Sequence, residues 1–470
     1  MHFFKLMTNY KKLSLCVLSL LMSVCTTALI INDSKPASFT LDSYLKEYIV
    51  NSPDLVSDYN ALKTAEINFK NNIIDLFLPS AGFSAGTELM SKNNPGLHFD
   101  NSYNSSLSVD WNIFNSGRDA LAYKKAKNNL EVAQMRFKNS LQELALSAIK
   151  TFYDLKRKES LLEVSKNDLK DKQEQFEMTQ LLYNDGLKSY TDFLQSENTL
   201  KNAQLNFEKS IADYNSSLIS FNNKIGREIM SPARLDYEIN SAPELYTTSF
   251  EEDLQTAIAN REDINREILN FQNAKIDDKL KLMNNLPMLN AGFALNNSTN
   301  DIFGSRDNRT DYSVGLSLNF PIGFFWLDKY NDVRVSKMAI INEYMSFENL
   351  FRQIKENIFD VRNNLKFQFA GIEISENNLK IAKERLDITR AEYNDGNENS
   401  YSLSLAQENY LSALISDTNY KYDYQLGKYS YQRALGLDIY DADKFVSYNK
   451  DFVEGKIKQI ERDFLSNKKR

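Results

Sequence analysis

Cysteine and histidine are nearly missing from this 470-residue chain. There are two of each: Cys16 and Cys25 lie in the first 25 residues, and His98 is the one histidine beyond the second position. So small a stock leaves nothing from which to build a zinc site, a thiol nucleophile or a triad, so neither an enzyme nor a bound cofactor is expected. Proline (8) and glycine (15) each fall below half their usual share of about 5% and 7%. Too few turn-formers remain for a sandwich or a loop-rich fold, whereas long helices fit. After the amino terminus no stretch approaches about 18 consecutive apolar residues, which excludes a transmembrane helix. Excess positive charge is missing too: the formal net charge is −7, which argues against a nucleic-acid partner.

What is present begins with an export signal. Lys5, Lys11 and Lys12 precede an apolar run over 13–24, followed by the small residues Thr26, Thr27 and Ala28. That order is the order of a secretory signal peptide, read here as residues 1–28, and the run is too short to span a bilayer. Cleavage after Ala28 leaves about −10 on the mature chain. Lipid attachment at Cys25 is the competing reading, with Val24 a poor residue to stand before a lipid-bearing cysteine. An exported chain without a membrane helix is periplasmic, secreted or an outer-membrane β-barrel.

The mature chain repeats itself. Tyr183-Asn184-Asp185-Gly186 returns as Tyr393-Asn394-Asp395-Gly396, Ile225-Gly226 as Leu435-Gly436, and Ala81-Gly82-Phe83 as Ala291-Gly292-Phe293, all at an offset of 210. The alternating set Tyr103, Leu107, Val109, Trp111, Ile113 returns at 209 as Tyr312, Leu316, Leu318, Phe320, Ile322. Residues 29–240 and 241–450 are therefore read as two structural repeats, with 451–470 a basic tail. No proline lies between Pro95 and Pro232 or after Pro321, so each repeat holds a long stretch free of the strongest helix breaker. Within these stretches Leu130, Ala133, Phe137, Leu141, Leu144, Ala148, Phe152 and Leu155 step by 3-4-4, as do Phe347, Leu350, Ile354, Ile358, Val361, Leu365, Phe369 and Ile372. An eleven-residue cycle is close to a straight helix, as the staves of a wide tube require. One helix from Ser116 to about Tyr183 is predicted, on the order of 100 Å long; an ordinary long coiled coil is the plainer reading.

Between the shorter and longer helical stretches of each repeat the rhythm changes to two. Tyr103, Leu107, Val109, Trp111 and Ile113 alternate with polar residues, as do Tyr312, Val314, Leu316, Leu318, Phe320 and Ile322. Their partner strands are read over 78–89 and 289–296, joined by polar connections over 91–101 and 297–311. Such strands suit a barrel that is apolar outside and polar inside, although a half-buried soluble sheet alternates in the same way. Four strands cannot close a barrel alone, and open edges are not tolerated in lipid, so the missing strands must come from copies of the same chain. Three copies give twelve.

With these features in place the chain resembles the TolC-like outer-membrane efflux channels over nearly its whole mature length. The resemblance is carried by Leu78-Pro79 and Leu286-Pro287 before the strands, by the strand exits over 111–118 and Phe320-Pro321-Ile322, by Arg261-Glu262-Asp263-Ile264, and by the Tyr-x-x-Gly tips with Asp192-Phe193-Leu194 and Glu197 after the first. It implies a mainly α chain with a small transmembrane β portion: a homotrimer with a twelve-stranded barrel in outer-membrane lipid, a long periplasmic helical barrel, and an equatorial belt from about 227–249 and 437–470. It also implies a passive conduit for efflux or type I secretion, docked to a periplasmic adaptor and an inner-membrane transporter. A periplasmic adaptor or a secreted coiled-coil structural protein is the alternative, and the double repeat and amphipathic strands weigh against both. No G-x-x-x-x-G-K loop occurs, so energy must come from elsewhere. By the same resemblance Gly186, Leu187, Lys188, Gly396 and Asn397 meet the adaptor, and Asp192, Glu398 and Ser402 stand at the channel entrance. Ser402 and Leu405 occupy places where many relatives carry acids, which puts a strong acidic constriction in doubt. Phe83, Tyr103, Trp111, Phe293, Tyr312, Phe320 and Trp326 are the expected membrane-belt aromatics, with Phe324 and Phe325 beside the last; simple helix capping is the plainer role for the tip glycines.

Overall fold

The structure is a computed structural model that describes residues 37–88, 102–237, 248–284, 286–299, 309–319 and 326–441, with Gly455, Lys458 and Arg462 besides. The signal peptide, His98, Phe320, Phe324, Phe325 and most of the basic tail lie outside the described residues.

A short strand β1 (Ala37–Phe39) leads into α1 (Leu41–Asn51) and α2 (Pro53–Phe77). Thr40 and Ser43 form a capping box at the start of α1, and Pro53 opens α2, where its missing N–H is harmless. Leu78 stops α2 because the proline that follows drives it into an extended conformation (φ −101°, ψ 149°). Strands β2 (Ser80–Glu88) and β3 (Ser102–Phe114) come next, then α3 (Arg118–Asn184) and α4 (Tyr190–Lys224). Next comes β4 (Ala233–Leu235), which pairs in parallel with β1. The same order then returns as α5 (Phe250–Asn260), α6 (Glu262–Met283), β5 (Met288–Thr299), β6 (Arg309–Asn319), α7 (Trp326–Asn394) and α8 (Ser400–Ala434). The long helices hold 67 and 69 residues, about 100 Å each at 1.5 Å per residue, and the returning helices 35 each.

A returning helix is thus half as long as its partner. The α4 and α8 helices cover the distal halves of α3 and α7, and α2 and α6 cover the proximal halves. The 3-4-4 seams face inward: Phe137, Leu141, Ala148, Phe152 and Leu155 are buried on α3, and Ile354, Ile358, Leu365 and Ile372 on α7. Beyond Ile372 the buried and half-buried positions are Ser375, Leu379, Ala382, Leu386, Thr389 and Tyr393, stepping by 3 and 4 in turn. The straight-helix cycle therefore gives way to heptads, the pattern that winds two helices around each other.

The main core sits at the level of α1. Tyr44 stacks on Phe221 with ring centroids 4.0 Å apart, and Ile49, Leu141, Ile149, Phe152, Tyr153 and Leu155 are buried around them. Burying each such side chain contributes about 1.5–3 kcal/mol. Gln142, fully buried on α3, donates to the Tyr440 carbonyl at 2.7 Å and accepts from the Ile439 and Tyr440 amides, fastening the segment after α8. In the second repeat Asp253 of α5, 2% exposed, accepts from Arg362, from the Tyr431 hydroxyl at 2.6 Å and from Thr248 at 2.8 Å.

Several boundaries differ from the sequence expectation: β2 begins at Ser80, since Leu78 caps α2, and α3 begins at Arg118. β5 runs on to Thr299 because the ladder to β3 holds Asn297, Ser298 and Thr299 in extended form, and β6 begins at Arg309, paired with Ser298 of that extension. The β3–β5 register shifts between Asn112 and Phe114, so Ile113 is the bulged residue and has no partner in the ladder. After that bulge Ser116 and Gly117 both take positive φ (52° and 81°), turning the chain into α3, and the Ser116 hydroxyl donates to the Pro287 carbonyl at 2.5 Å.

Candidate functional site

The four longer strands form one antiparallel sheet in the order β2-β3-β5-β6. Its register sorts the side chains onto two faces. One face carries the rows Trp111-Ala291-Leu316, Ala81-Val109-Phe293-Val314 and Phe83-Leu107-Leu295-Tyr312, then the more polar Ala85-Ser105-Asn297-Thr310 and Thr87-Tyr103-Thr299. The other carries Gly86-Asn104-Ser298-Arg309, Ser84-Ser106-Asn296-Asp311, Gly82-Ser108-Ala294-Ser313, Ser80-Asp110-Gly292-Gly315 and Asn112-Asn290-Ser317. Nothing described covers the apolar face: Phe83, Tyr312, Val314 and Leu316 are 74%, 79%, 79% and 72% exposed. From the row of Leu289 and Leu318 to that of Tyr103 is about 33 Å along the strands, or about 25 Å in height at a tilt of about 40°. The whole span matches the height of the hydrocarbon-facing band of an outer-membrane barrel, and its apolar rows, from Leu289 to Leu295, fill about 20 Å of it along the strands. Phe293 stands in the middle of the apolar rows, Phe83 and Tyr312 share the last of them, and Tyr103 lies two rows further on among polar neighbours. Trp111 lies near the opposite end, where its indole N–H donates to the Phe77 carbonyl at 3.3 Å. Trp326 opens α7. Among the described residues β2 and β6 have no partner on their outer edges.

About 100 Å from the sheet, the helical hairpins end in two tips of one construction. Gly186 (φ 75°) and Gly396 (φ 79°) adopt the left-handed conformation that ends each long helix. The Leu187 amide donates to the Leu182 carbonyl and the Gly186 amide to Tyr183, with Asn397 to Glu392 and Gly396 to Tyr393 matching them. This Schellman pattern satisfies the last carbonyls of each helix. The two tips restart differently. Ser189 and Asp192 form a reciprocal capping box in which the Asp192 carboxylate accepts from the Ser189 amide at 3.3 Å and hydroxyl at 2.7 Å. In the second tip Asn399 caps the Ser402 amide at 2.9 Å, so Ser402 offers a backbone donor where Asp192 offers a carboxylate. Glu398 accepts from the Asn399 amide at 3.3 Å. Leu187 is 70% exposed.

Sequence reasoning missed the ties between the hairpins. The Lys188 ammonium sits 4.1 Å from the ring centroid of the buried Tyr393, and Tyr183 and Phe193 stack behind the first tip. Further up, the buried Lys172 of α3 donates to Gln407 of α8, and Asp171 pairs with Arg390 of α7 at 3.5 Å. Burial holds the Lys172 amine below its usual range and pushes the Asp168 carboxyl up. These partners are more than 200 residues apart in sequence, and no local pattern announces them. Also missed is a stripe along α7: Phe367, Ile374, Ile381 and Ile388 are 63%, 60%, 63% and 61% exposed. Their seven-residue spacing was visible in the sequence, next to the buried seam.

Among the described residues no group of His, Cys, Asp and Glu is arranged to hold a metal, and no helix is long and apolar enough to cross a membrane.

Residues 45–227 match a model of the outer membrane efflux protein family. None of the curated proteins is similar enough to match. Among solved structures, the Campylobacter jejuni CmeC outer membrane channel is 15% identical with a TM-score of 0.74, covering 87% of this chain and 89% of that one. The open-state Neisseria gonorrhoeae MtrE outer membrane channel is 14% identical at 0.72, over 85% and 89%. The outer membrane protein VceC of Vibrio cholerae is 15% identical at 0.70, over 85% and 97%. The first repeat carries the family's signature, and the chain as a whole has the TolC-like fold of these channels.

Proposed function

We propose that this chain, with the fold of outer-membrane channels and an efflux-protein signature in its first repeat, assembles as a homotrimer into a passive exit duct of the outer membrane. The observation that carries the reading is the sheet: one face with an exposed apolar band about 20 Å long on the strands, one face of hydroxyls and amides, and two edges without partners among the described residues. Unpaired edges in lipid cost several kcal/mol per backbone group, and a second and third copy remove that cost by pairing β6 of one with β2 of the next. The exposed apolar stripe on α7 gives the helical portions of neighbouring copies a seam in the same arrangement. Water then fills a channel lined by the polar rows, continued through the helical barrel.

The duct serves efflux or type I secretion, with energy supplied by an inner-membrane transporter reached through a periplasmic adaptor. Gly186, Leu187, Lys188, Gly396 and Asn397 are the adaptor-contacting tips, and Asp192, Glu398 and Ser402 surround the entrance. Phe83, Tyr103, Trp111, Phe293, Tyr312, Phe320 and Trp326 meet the lipid and its interfaces. The test is electrical: purified protein added to a planar lipid bilayer is expected to produce stepwise ion conductance. Protein that leaves the bilayer silent at every concentration would remove the channel from this reading. Cysteines at Leu187 or Asn397, crosslinked in intact cells, are expected to capture the adaptor.

A further inference from the structure

We propose that Asp110, on the polar face of β3, sets the charge preference of the barrel by forming a ring of fixed carboxylates in its lumen. This rests on the channel reading above. Between the rims of that face the rows are almost wholly Ser, Gly, Asn and Ala, and Asp110 is the one charged side chain without a charged neighbour. At the outer rim Arg309 and Asp311 neutralise each other at 2.9 Å. Glu88, paired in register with Ser102, lies eight residues along β2 from the Ser80–Asp110 pair, about 27 Å away.

The neighbours of Asp110 in its own row are Ser80, Gly292 and Gly315, two of which have no side chain. A Cβ built on Gly292 would stand 3.4 Å from Asp110 Oδ1, so glycine there leaves the carboxylate open to the pore. Ser80 donates its hydroxyl to the Asp110 backbone carbonyl at 3.3 Å and leaves the carboxylate alone. No ion pair or side-chain hydrogen bond holds that carboxylate among the described residues.

Geometry makes one carboxylate per chain sufficient. Twelve strands about 4.8 Å apart and tilted by about 40° close at a radius of about 12 Å. An aspartate reaching inward places its charge about 9 Å from the axis, close to the Debye length of about 10 Å at 0.1 M salt and far beyond the 3 Å at 1 M. Three such charges enrich cations on the axis about twofold and deplete anions to match at 0.1 M, and have no reach at 1 M.

The test is the reversal potential of the trimer in planar bilayers under a threefold KCl gradient centred near 0.1 M. Wild type is expected to prefer K⁺ over Cl⁻. D110N, isosteric and on an exposed position, is expected to lower the permeability ratio about twofold or more, with the difference gone near 1 M. G315K places a cation in the same row with nothing within 4 Å of its Cβ, and is expected to lower the ratio further. A conducting wild type whose ratio is unmoved by D110N overturns the proposal, as does a shift produced by D192N and not by D110N. A wild type that does not conduct fails earlier, at the channel reading itself, and takes this proposal with it.

Discussion

Two glycines with the same positive φ answer differently to their surroundings. At Gly186 (φ 75°) an added Cβ meets nothing within 4 Å, whereas at Gly436 (φ 72°) it comes within 2.8 Å of the Arg261 backbone nitrogen. Gly186→Ala is therefore expected to cost only the left-handed strain, about 1–2 kcal/mol at the exposed tip. Gly436→Ala adds a backbone clash at the join between α6 and α8, so its thermal midpoint should fall well below that of Gly186→Ala. Removing the buried Asp253 is the other severe change. Asp253→Asn leaves Arg362, 15% exposed by its side chain, without its counter-charge, at an expected cost of about 3–5 kcal/mol in denaturant titration. Replacing Asp253, Arg362 and Tyr431 together by apolar residues is expected to recover most of that loss. The turn glycines were legible in the sequence because the repeated Tyr-Asn-Asp-Gly ends a helix by local rules alone. The Asp253 cluster was not, since its members stand 109 and 178 residues apart and nothing periodic joins them.

Among the elements, the long helices and alternating strands could be read in advance because period 3.67 and period 2 are imposed by burial of one face. What escaped was decided by neighbours: β5 extends through Asn297 and Ser298, poor strand formers held by β3, to Thr299, and the α7 seam passes to heptads beyond Ile372, along the distal part of its contact with α8. Helix starts are local again. Ser189→Ala removes the capping box of α4, at an expected cost of about 1 kcal/mol. It should appear as faster hydrogen exchange over 190–193, with little change in global melting. The packing of α3 and α6 also sets an acid limit. Burial alone would push the Asp154 carboxyl up, but Ser217 and Arg157 hold it below its usual range, and Arg261 does the same for Asp263 against burial. For such groups the unfolded chain takes up protons first as pH falls, so their stabilisation is whole above about pH 5 and lost as pH drops below about 4. Melting followed from pH 6 to pH 3 is expected to show that loss, and Asp263→Asn to flatten part of it.

For the whole molecule, the incomplete sheet governs everything else. Among the described residues one chain exposes an apolar band about 20 Å long on its strands, leaves two strand edges bare, and sets an apolar stripe along a helix about 100 Å long. Each of these is costly in isolation, and the proposed ring of identical copies would satisfy all three. The expectation of partners comes from the strand number alone, while the exposed α7 stripe was plain only once the buried seam beside it had been located. The most direct measurement is the protein mass of the mature particle purified from membranes, by light scattering with the detergent contribution subtracted. The account predicts three chains per detergent-bound particle, and a single chain that stays in solution without detergent would contradict it.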